Sequence, residues 1–227
     1  MDTIRQAHNI AKRTLIQQAT APGSHVLDVG CGFGGDLHKW NHIDNIVLHM
    51  CDPDRNAIEE AKNRAHNLKL NKPRFYVGDI SDCPKFKYDI ICYNFSMHYI
   101  FETQKLFYKT INEIRLRLKK GGKLIGCIPD SEKIIVNTPF YDKIGNYIER
   151  NKNETGYGNF GEEIYVYLKD TPYYSTGAKS EPIGYKDILV TELEKNKIIL
   201  DTWTDLIPNT EIGLTRLYSQ FFFFFKT

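Results

Sequence analysis

Hydrophobic positions along the chain follow two alternating spacings. Short continuous apolar runs are separated by stretches whose apolar side chains recur every three or four residues. Continuous runs are typical of buried strands, and the longer spacing is typical of amphipathic helices. Because the two spacings alternate through the first 130 residues, the pattern predicts βαβ units and a parallel sheet.

The predicted elements can be placed by residue number. Helices are predicted over about 4–16, 35–41, 57–68, 106–118 and 186–195, and strands over 25–29, 46–51, 74–77, 88–93, 124–128, 198–203 and 219–225. Gly121 and Gly122 are expected to end the fourth helix. The loop between the last two strands is too short for a crossover helix, so these strands should pair antiparallel. The phenylalanine run 221–225 is expected to be a strand buried on both faces.

The length of 227 residues predicts a single domain, since domains average roughly 150 residues. Within it we distinguish an N-terminal helix (1–22), a cofactor-binding core (23–130), a substrate-side insertion (131–185) and a C-terminal helix with a strand pair (186–227). A domain excised from a longer multifunctional chain would have the same sequence.

Composition narrows the class of protein. Hydrophobic residues make up 41% and charged residues 26%, which predicts a globular chain and excludes wholesale disorder. The net charge of +2 excludes a protein that coats nucleic acid through bulk positive charge, although a local basic patch remains open. Five cysteines without a C-x-x-C motif favour reduced thiols and a cytoplasmic location. No apolar run is long enough to predict a membrane span.

A glycine-rich loop follows the first predicted strand. Gly30, Gly32 and Gly35 satisfy the pattern G-x-G-x-x-G, and Asp52 lies 20 residues beyond Gly32 at the end of the second strand. Taken alone, this spacing is a dinucleotide-binding fingerprint. A tight turn with no ligand is the alternative interpretation.

Acidic residues around this loop favour a different ligand. Asp28 precedes the loop and Asp36 follows it, and two carboxylates would repel a pyrophosphate. They suit a ligand that carries an ammonium and a sulfonium, which predicts S-adenosylmethionine. Asp52 would hold the ribose hydroxyls, and Asp79, at the end of the third strand, would accept from the adenine amino group. The alternative is that these aspartates are solvated caps.

Residues 94–99, Asn-Phe-Ser-Met-His-Tyr, follow the fourth strand. The carboxyl edge of an open α/β sheet is where ligands bind. Phe95 and Tyr99 flank His98, and such aromatic pairs stack on planar or cationic rings. The alternative is that both aromatics belong to the core and that His98 is a structural histidine.

These motifs resemble those of the mRNA cap guanine-N7 methyltransferases. The resemblance rests on two segments, VLDVGCGFGGDLHKW at 26–40 and NFSMHYIFET at 94–103. The opening helix IRQAHNIAK and the closing run LYSQFFFFFK also resemble this family, whereas the match is weak between 131 and 215. Within the family, the sequence looks most like the methyltransferase domains of capping enzymes from large cytoplasmic DNA viruses, of the African swine fever virus type.

The resemblance implies a fold and an activity. The fold would be that of a class I S-adenosylmethionine-dependent methyltransferase, a Rossmann-like, mostly parallel seven-stranded sheet with an antiparallel last strand, plus a cap-binding insertion. The activity would be methyl transfer to N7 of a GpppN cap by in-line displacement, without a general base or a metal, leaving S-adenosylhomocysteine.

The resemblance also implies site residues. S-adenosylmethionine would contact Lys12, Asp28, Gly30, Gly32, Asp36, Asp52, Asp79, Asn94 and Tyr99, and the cap would contact His8, Asn9, Lys39, Arg64, Phe95, His98, Glu181 and Tyr218. Lys12 would pair with the methionine carboxylate, Lys39 and Arg64 with the triphosphate, and Glu181 with guanine. His98 and Tyr99 would position substrates rather than exchange protons.

Three positions depart from the family pattern. His8 replaces an asparagine, Asn94 replaces a glutamine, and Phe33 stands where a phosphate-binding lysine is usual. The partner would be 5′-capped RNA, with guanylyltransferase and triphosphatase domains as neighbours in a longer chain. A viral particle or viral factory is compatible with the cytoplasmic prediction.

Two other functions remain open, a class I methyltransferase for a small molecule or protein, and an inactive cap- or RNA-docking domain. Arg115, Arg117, Lys119, Lys120 and Lys123 form a basic run that is either a solvated face or an RNA contact.

Overall fold

The computed structural model describes residues 4–68, 70, 72–151, 160–169, 171–208 and 213–227. The helices are α1 (Ile4–Ala19), α2 (Leu37–Trp40), α3 (Arg55–Ala65), α4 (Gln104–Arg117), α5 (Ser131–Asn137) and α6 (Lys186–Lys195). The strands are β1 (His25–Val29), β2 (Val47–Asp52), β3 (Arg74–Val77), β4 (Tyr88–Asn94), β5 (Leu118–Pro129), β6 (Phe140–Tyr141), β7 (Tyr147–Arg150), β8 (Glu163–Tyr167), β9 (Lys179–Pro182), β10 (Ile198–Asp205) and β11 (Tyr218–Phe225). Short 3₁₀ helices lie at Ile80–Asp82, Met97–Glu102, Pro172–Tyr174 and Gly213–Leu217.

The main sheet has seven strands in the order β10-β11-β5-β4-β1-β2-β3. The five neighbouring strands β5, β4, β1, β2 and β3 pair in parallel. Strand β11 is antiparallel to both of its neighbours. The predicted class I methyltransferase sheet with an antiparallel last strand is therefore confirmed.

Strand β1 lies between β4 and β2, so the chain winds outward from it in both directions. Such a reversal opens a crevice at the carboxyl ends of the strands, where open α/β sheets bind ligands. The glycine loop follows β1 and the segment beginning at Asn94 follows β4. The topology thus brings both predicted motifs to one crevice.

The insertion carries a second, smaller sheet. Strands β6 to β9 form an antiparallel meander in the order β6-β7-β8-β9. Its last strand, β9, packs against the 3₁₀ helix Met97–Glu102. This contact places the insertion beside the crevice of the main sheet. Among the described residues, no helix combines the length and apolarity that a membrane span requires.

The predicted role of Gly121 and Gly122 as the end of a helix is wrong. Helix α4 ends at Arg117 and β5 begins with the next residue. Gly121 has a φ of +77°, and a Cβ on Gly122 would lie 2.8 Å from the carbonyl oxygen of Lys119. The glycines therefore permit an irregular start of β5, where its register with β4 shifts.

The phenylalanine run does form a strand, but the prediction that both faces are buried is wrong. Phe221 and Phe223 are fully buried, whereas Phe224 is 39% exposed. Successive side chains in a strand point to opposite faces. Only one face of β11 therefore contributes fully to the core.

Candidate active site

The glycine loop has three glycines in the left-handed region, Gly30, Gly32 and Gly34. Gly30 has a φ of +72°, and a Cβ there would lie 2.3 Å from the Cβ of Ser96. Gly32 has a φ of +51°, and its amide donates to Asp52 Oδ2 at 2.8 Å. Glycine is required at residue 30 because the backbone passes too close to the segment after β4 for any side chain.

Asp52 is held rigidly at the end of β2. Besides the Gly32 amide, the backbone N–H of Asp54 donates to its Oδ1 at 2.9 Å. Burial raises the pKa of Asp52, and the two amide bonds oppose that rise. A fixed, half-buried carboxylate at this position can accept hydrogen bonds from a pair of hydroxyls.

Asp36 is the centre of a buried charge cluster. Its Oδ1 lies 2.6 Å from Lys12 Nζ and 2.8 Å from Lys39 Nζ. Asn94 Nδ2 donates to its Oδ2 at 2.8 Å. Burial alone would raise the pKa of Asp36, but the two ammonium groups outweigh burial and lower it. Asp36 is therefore an ionised acid that ties α1, α2 and β4 together.

Asp28 lies beneath the loop and is 2% exposed. It accepts a hydrogen bond from Trp40 Nε1 at 2.9 Å. Burial and the nearby Asp36 carboxylate raise the pKa of Asp28 to about 7. Its position in β1 supports the loop from below, and cofactor contact by Asp28 stays a prediction.

The residues around the crevice fit S-adenosylmethionine. Asn94 Oδ1 is buried and has no hydrogen-bond partner among the residues that the structure describes, so it suits an ammonium donor. Lys12 and Lys39 balance the charge of Asp36, whereas the partners of the Asp52 carboxylate are two backbone amides. The charge of Asp52 disfavours a pyrophosphate and favours a cationic ligand.

Asp79 follows β3, and its carboxylate already has partners. It accepts from the backbone N–H and the hydroxyl of Ser81 and from Lys109 Nζ at 2.8 Å. Burial would raise the pKa of Asp79, but these bonds, led by that from Lys109, lower it. An adenine amino group would have to share this carboxylate with Lys109.

Three rings form an aromatic cluster beside the charge cluster. The His8 ring centroid lies 5.0 Å from that of Phe95 and 5.1 Å from that of Tyr218, and the last two are 5.5 Å apart. Burial, and then the Lys12 charge, lower the pKa of His8 to about 3. His8 is therefore a neutral ring at physiological pH, with its Nε2 3.2 Å from the Thr215 hydroxyl.

A chain of buried polar groups joins the core to the insertion. His98 Nε2 lies 3.1 Å from Glu181 Oε2, and the Tyr174 hydroxyl donates to Glu181 Oε1 at 2.6 Å. His98 Nδ1 is buried and has no hydrogen-bond partner within the described part of the chain. Next to this chain, the hydroxyls of Tyr99 and Tyr173 are 2.7 Å apart. The structure thus brings Glu181 directly to His98.

Two residues predicted to bind the triphosphate have partners within the protein. Lys39 is 3% exposed, and its ammonium also donates to Asn9 Oδ1 at 2.9 Å and to the Gly35 carbonyl at 3.0 Å. Arg64 lies on α3 with Glu60 as its partner at 2.9 Å. The structure gives Lys39 an interior role beside Asp36 in place of the predicted one, because a buried ammonium with three partners has no free donor for phosphate. The role of Arg64 stays a prediction.

Sequence reasoning missed Ser96, Tyr173 and Tyr174 as site residues. Ser96 Oγ donates to the Val29 carbonyl at 2.6 Å and so joins the two motif segments. The adjacent tyrosines lie on the 3₁₀ helix Pro172–Tyr174, and only the tyrosine richness of the insertion hinted at them. In the described part of the chain, no group of three or more potential ligands could hold a metal ion.

Sequence comparison matches this chain to one family model. Residues 2–176 match the family model described as mRNA (guanine-N(7))-methyltransferase domain. The chain is 32% identical to the mRNA cap guanine-N(7) methyltransferase of Saccharomyces cerevisiae over 145 residues, 58% of this chain and 33% of that protein. It is 29% identical to the protein of that name from Candida glabrata, covering 77% of this chain and 43% of that protein. The chain thus spans about a third to under half of these curated relatives.

Solved structures with the same fold have low sequence identity. A S-adenosylmethionine-dependent methyltransferase from Clostridium acetobutylicum has a TM-score of 0.62 and 19% identity, covering 100% of this chain and 93% of that one. The PH0226 protein from Pyrococcus horikoshii has a TM-score of 0.70 and 14% identity, covering 99% of this chain and 92% of that one. At these identities the likeness shows the fold.

Proposed function

The chain belongs to the mRNA (guanine-N(7))-methyltransferase family, and from this premise we propose that it methylates N7 of the guanine in the cap of GpppN-RNA. The observation that carries the proposal is the buried His98–Glu181 pair, separated by 3.1 Å. It lies at the crevice that holds the glycine loop. A guanine-binding pocket and a cofactor crevice would then share one edge of the sheet.

The cofactor would be S-adenosylmethionine, which supplies the methyl group when bound. Asp52 would accept from its ribose hydroxyls, because its carboxylate is already oriented by two amides. Asn94 Oδ1, which has no partner, would accept from its ammonium group. Lys12 would pair with its carboxylate while remaining next to Asp36.

Guanine would be recognised by a carboxylate and by rings. Glu181 faces His98 with one carboxylate oxygen and accepts from Tyr174 at the other. Because each carboxylate oxygen can accept more than one hydrogen bond, Glu181 can also accept from the donors at guanine N1 and N2. Phe95 and Tyr218 supply aromatic surface for stacking. His98 would position the base, since its Nε2 faces Glu181 and its Nδ1 has no protein partner.

The transfer needs no general base, because guanine N7 has a lone pair and loses no proton. The protein would contribute by holding N7 and the methyl group in line and within attack distance. Methyl transfer places positive charge on guanine, which a nearby carboxylate stabilises. Glu181 would supply that carboxylate. Because the pKa of His8 is lowered, its imidazole is neutral and adds no positive charge beside the methylated guanine.

Several finer assignments belong to this proposal. The chain would bind RNA through the cap and work in the cytoplasm, next to guanylyltransferase and triphosphatase domains of a longer chain. The motif resemblance to capping enzymes of large cytoplasmic DNA viruses supports a viral origin, whereas the curated relatives named above are fungal. Neither Phe33, 37% exposed, nor the buried Lys39 offers a cation to the triphosphate.

The test is methyl transfer from tritiated S-adenosylmethionine to GpppA and to capped RNA, with the product identified as N7-methylguanosine after nuclease digestion. The proposal requires transfer to N7 that His98→Ala abolishes and that Glu194→Gln, on the exposed face of α6, leaves unchanged. Absence of transfer to both substrates would refute the proposal and leave two alternatives, a docking domain and a methyltransferase with another substrate. Cap binding without transfer would then indicate a docking domain, and transfer to a small molecule or protein would indicate another methyltransferase.

A further inference from the structure

A basic cleft lies at the opposite edge of the main sheet, where β5 begins and β11 ends. Its volume is about 410 Å³. The cations lining it come from α4, β5, the end of α6, the turn after α6 and the residue after β11. They are Arg115, Lys120, Lys195, Lys197 and Lys226. Among the described residues that line this cleft, none has an aspartate or glutamate side chain. Phe225 contributes an aromatic ring to its wall.

The cations of the cleft differ from many others in the chain. Exposed lysines elsewhere have acidic partners, as in the pairs Lys62–Glu59 and Lys119–Asp89. In the cleft, Lys195 pairs with Glu192 at 3.0 Å. The other four have no carboxylate within ion-pair distance in the part of the chain that the structure describes. A concentration of unpaired positive charge in a chain of net charge +2 indicates an anionic ligand.

Helix α1 lies between this cleft and the candidate active site. Helix α1 contains no aspartate or glutamate, and its exposed face carries Arg5 and Arg13. His8 places the first half of α1 at the aromatic cluster. At the other end, the Ala19 carbonyl accepts from Lys123 Nζ at 3.0 Å, and Lys123 is three residues from Lys120 in β5.

We propose that the basic cleft binds the phosphate backbone of the RNA downstream of the cap, which reaches it along the exposed face of α1. The inference rests on the proposed function for the identity of the RNA as substrate. Along the regular part of β5, the distance from Lys123 to Pro129, which pairs with Tyr218, is about 20 Å at roughly 3.3 Å per residue. A capped RNA of several nucleotides would span it, whereas a cap dinucleotide would not.

The surface between the two sites favours RNA over an acidic protein segment. An acidic peptide would need the cleft alone and would place no constraint on α1. A tethered RNA benefits from a continuous path, because binding at the cap raises its effective concentration at the cleft. Lysines on flexible stems contact phosphates without reading sequence, and Phe225 is available for base stacking.

The test compares Lys120→Gln/Lys197→Gln/Lys226→Gln with a control that loses equal charge outside the cleft, Lys62→Gln/Lys85→Gln/Lys105→Gln. The first readout is binding of fluorescein-labelled uncapped RNA by anisotropy at several salt concentrations. The cleft variant should bind about tenfold more weakly, and its log–log salt slope should fall by about 2, since each phosphate contact contributes roughly 0.7 for single strands. The second readout is the KM for capped RNA, which should rise while the KM for GpppA stays unchanged.

Unchanged RNA binding by the cleft variant, or equal weakening in the control, would overturn the inference. So would loss of oligoglutamate binding with RNA binding intact, which would assign the cleft to an acidic protein. The two proposals fail separately. Absence of methyl transfer by the unaltered chain refutes the proposed function, and the binding of uncapped RNA still decides the role of the cleft.

Discussion

His98 Nε2 and Glu181 Oε2 lie 3.1 Å apart although the residues are 83 positions apart in the chain. His98 comes from the 3₁₀ helix after β4, and Glu181 comes from β9 of the insertion. Both are almost completely buried. This contact makes the insertion part of the candidate active site, because Glu181, whose carboxylate is proposed to bind guanine, lies in the second sheet.

Glu181→Gln should therefore impair cap methylation far more than cofactor binding. A hydrogen bond to a charged group is worth about 1.5–3 kcal/mol, so kcat/KM for GpppA should fall roughly 10- to 100-fold. The dissociation constant for S-adenosylhomocysteine, measured by calorimetry, should change less than about twofold. A parallel loss of cofactor affinity would place Glu181 in the cofactor site or in the scaffold.

Tyr174 tests whether the position of Glu181 matters as well as its charge. Its hydroxyl donates to Glu181 Oε1 at 2.6 Å. Tyr174→Phe should raise the KM for GpppA about tenfold, since removing one hydrogen bond to a charged group costs about 1.5 kcal/mol or more. Tyr165→Phe, which alters a 39% exposed tyrosine of β8, is the matched control. An unchanged KM in Tyr174→Phe would show that Glu181 is fixed by His98 alone.

Local pattern was sufficient to predict the main sheet and the cofactor crevice. Strand spacing sets a parallel topology, and parallel topology brings the carboxyl ends of β1, β2 and β4 to one edge. The Gly32–Asp52 hydrogen bond follows from that rule. The role of Gly121 was mispredicted because a glycine pair after a helix has the same local pattern as one that opens an irregular strand.

Long-range register and charge burial could not be predicted from local pattern. The pairing of Ile164 with Glu181 in the second sheet depends on strands rich in tyrosine and polar residues, whose two faces differ little in hydrophobicity. The burial of Lys39 depends on Asn9, which reaches it from α1, and on Asp36, which reaches it from the turn before α2. A lysine near a phosphate-binding motif is predicted to be exposed unless such buried partners are known.

Gly30→Ala should disrupt the crevice, whereas Gly35→Ala should be tolerated. At residue 30 the φ of +72° is strained for alanine, and the added methyl would overlap Ser96. At residue 35 the φ is ordinary and no atom lies within 4 Å of the added Cβ. Gly30→Ala is expected to lose about 1–3 kcal/mol of stability from backbone strain and to weaken S-adenosylhomocysteine binding in calorimetry. Equal behaviour of the two variants in denaturation and binding would contradict this account of the loop.

Asp36→Asn should destabilise the fold because it leaves Lys12 and Lys39 without their shared counter-charge. Removing one partner of a buried ion pair costs about 3–5 kcal/mol, which urea denaturation would measure. Asp36→Asn combined with Lys39→Met should recover part of that loss, since one of the uncompensated charges is also removed. A double variant no more stable than Asp36→Asn would show that Lys39 does not depend on Asp36.

His8 should make the fold sensitive to acid in a defined pH range. Its pKa is about 3 in the folded chain against 6.5 for the free side chain. Between these values the unfolded chain binds a proton and the folded chain does not, so stability falls as pH drops below 6.5. At pH 5 the loss relative to neutral pH is about 2 kcal/mol, at 1.36 kcal/mol per pKa unit. In His8→Asn this contribution is absent, so its free energy of unfolding, measured in urea at several pH values, should fall less steeply between pH 7 and pH 5. Loss of the packing of the ring lowers the free energy of unfolding equally at pH 7 and pH 5, so the slope between these pH values reports the titration alone. Identical slopes in the two proteins would show that His8 is protonated in the folded protein at pH 5.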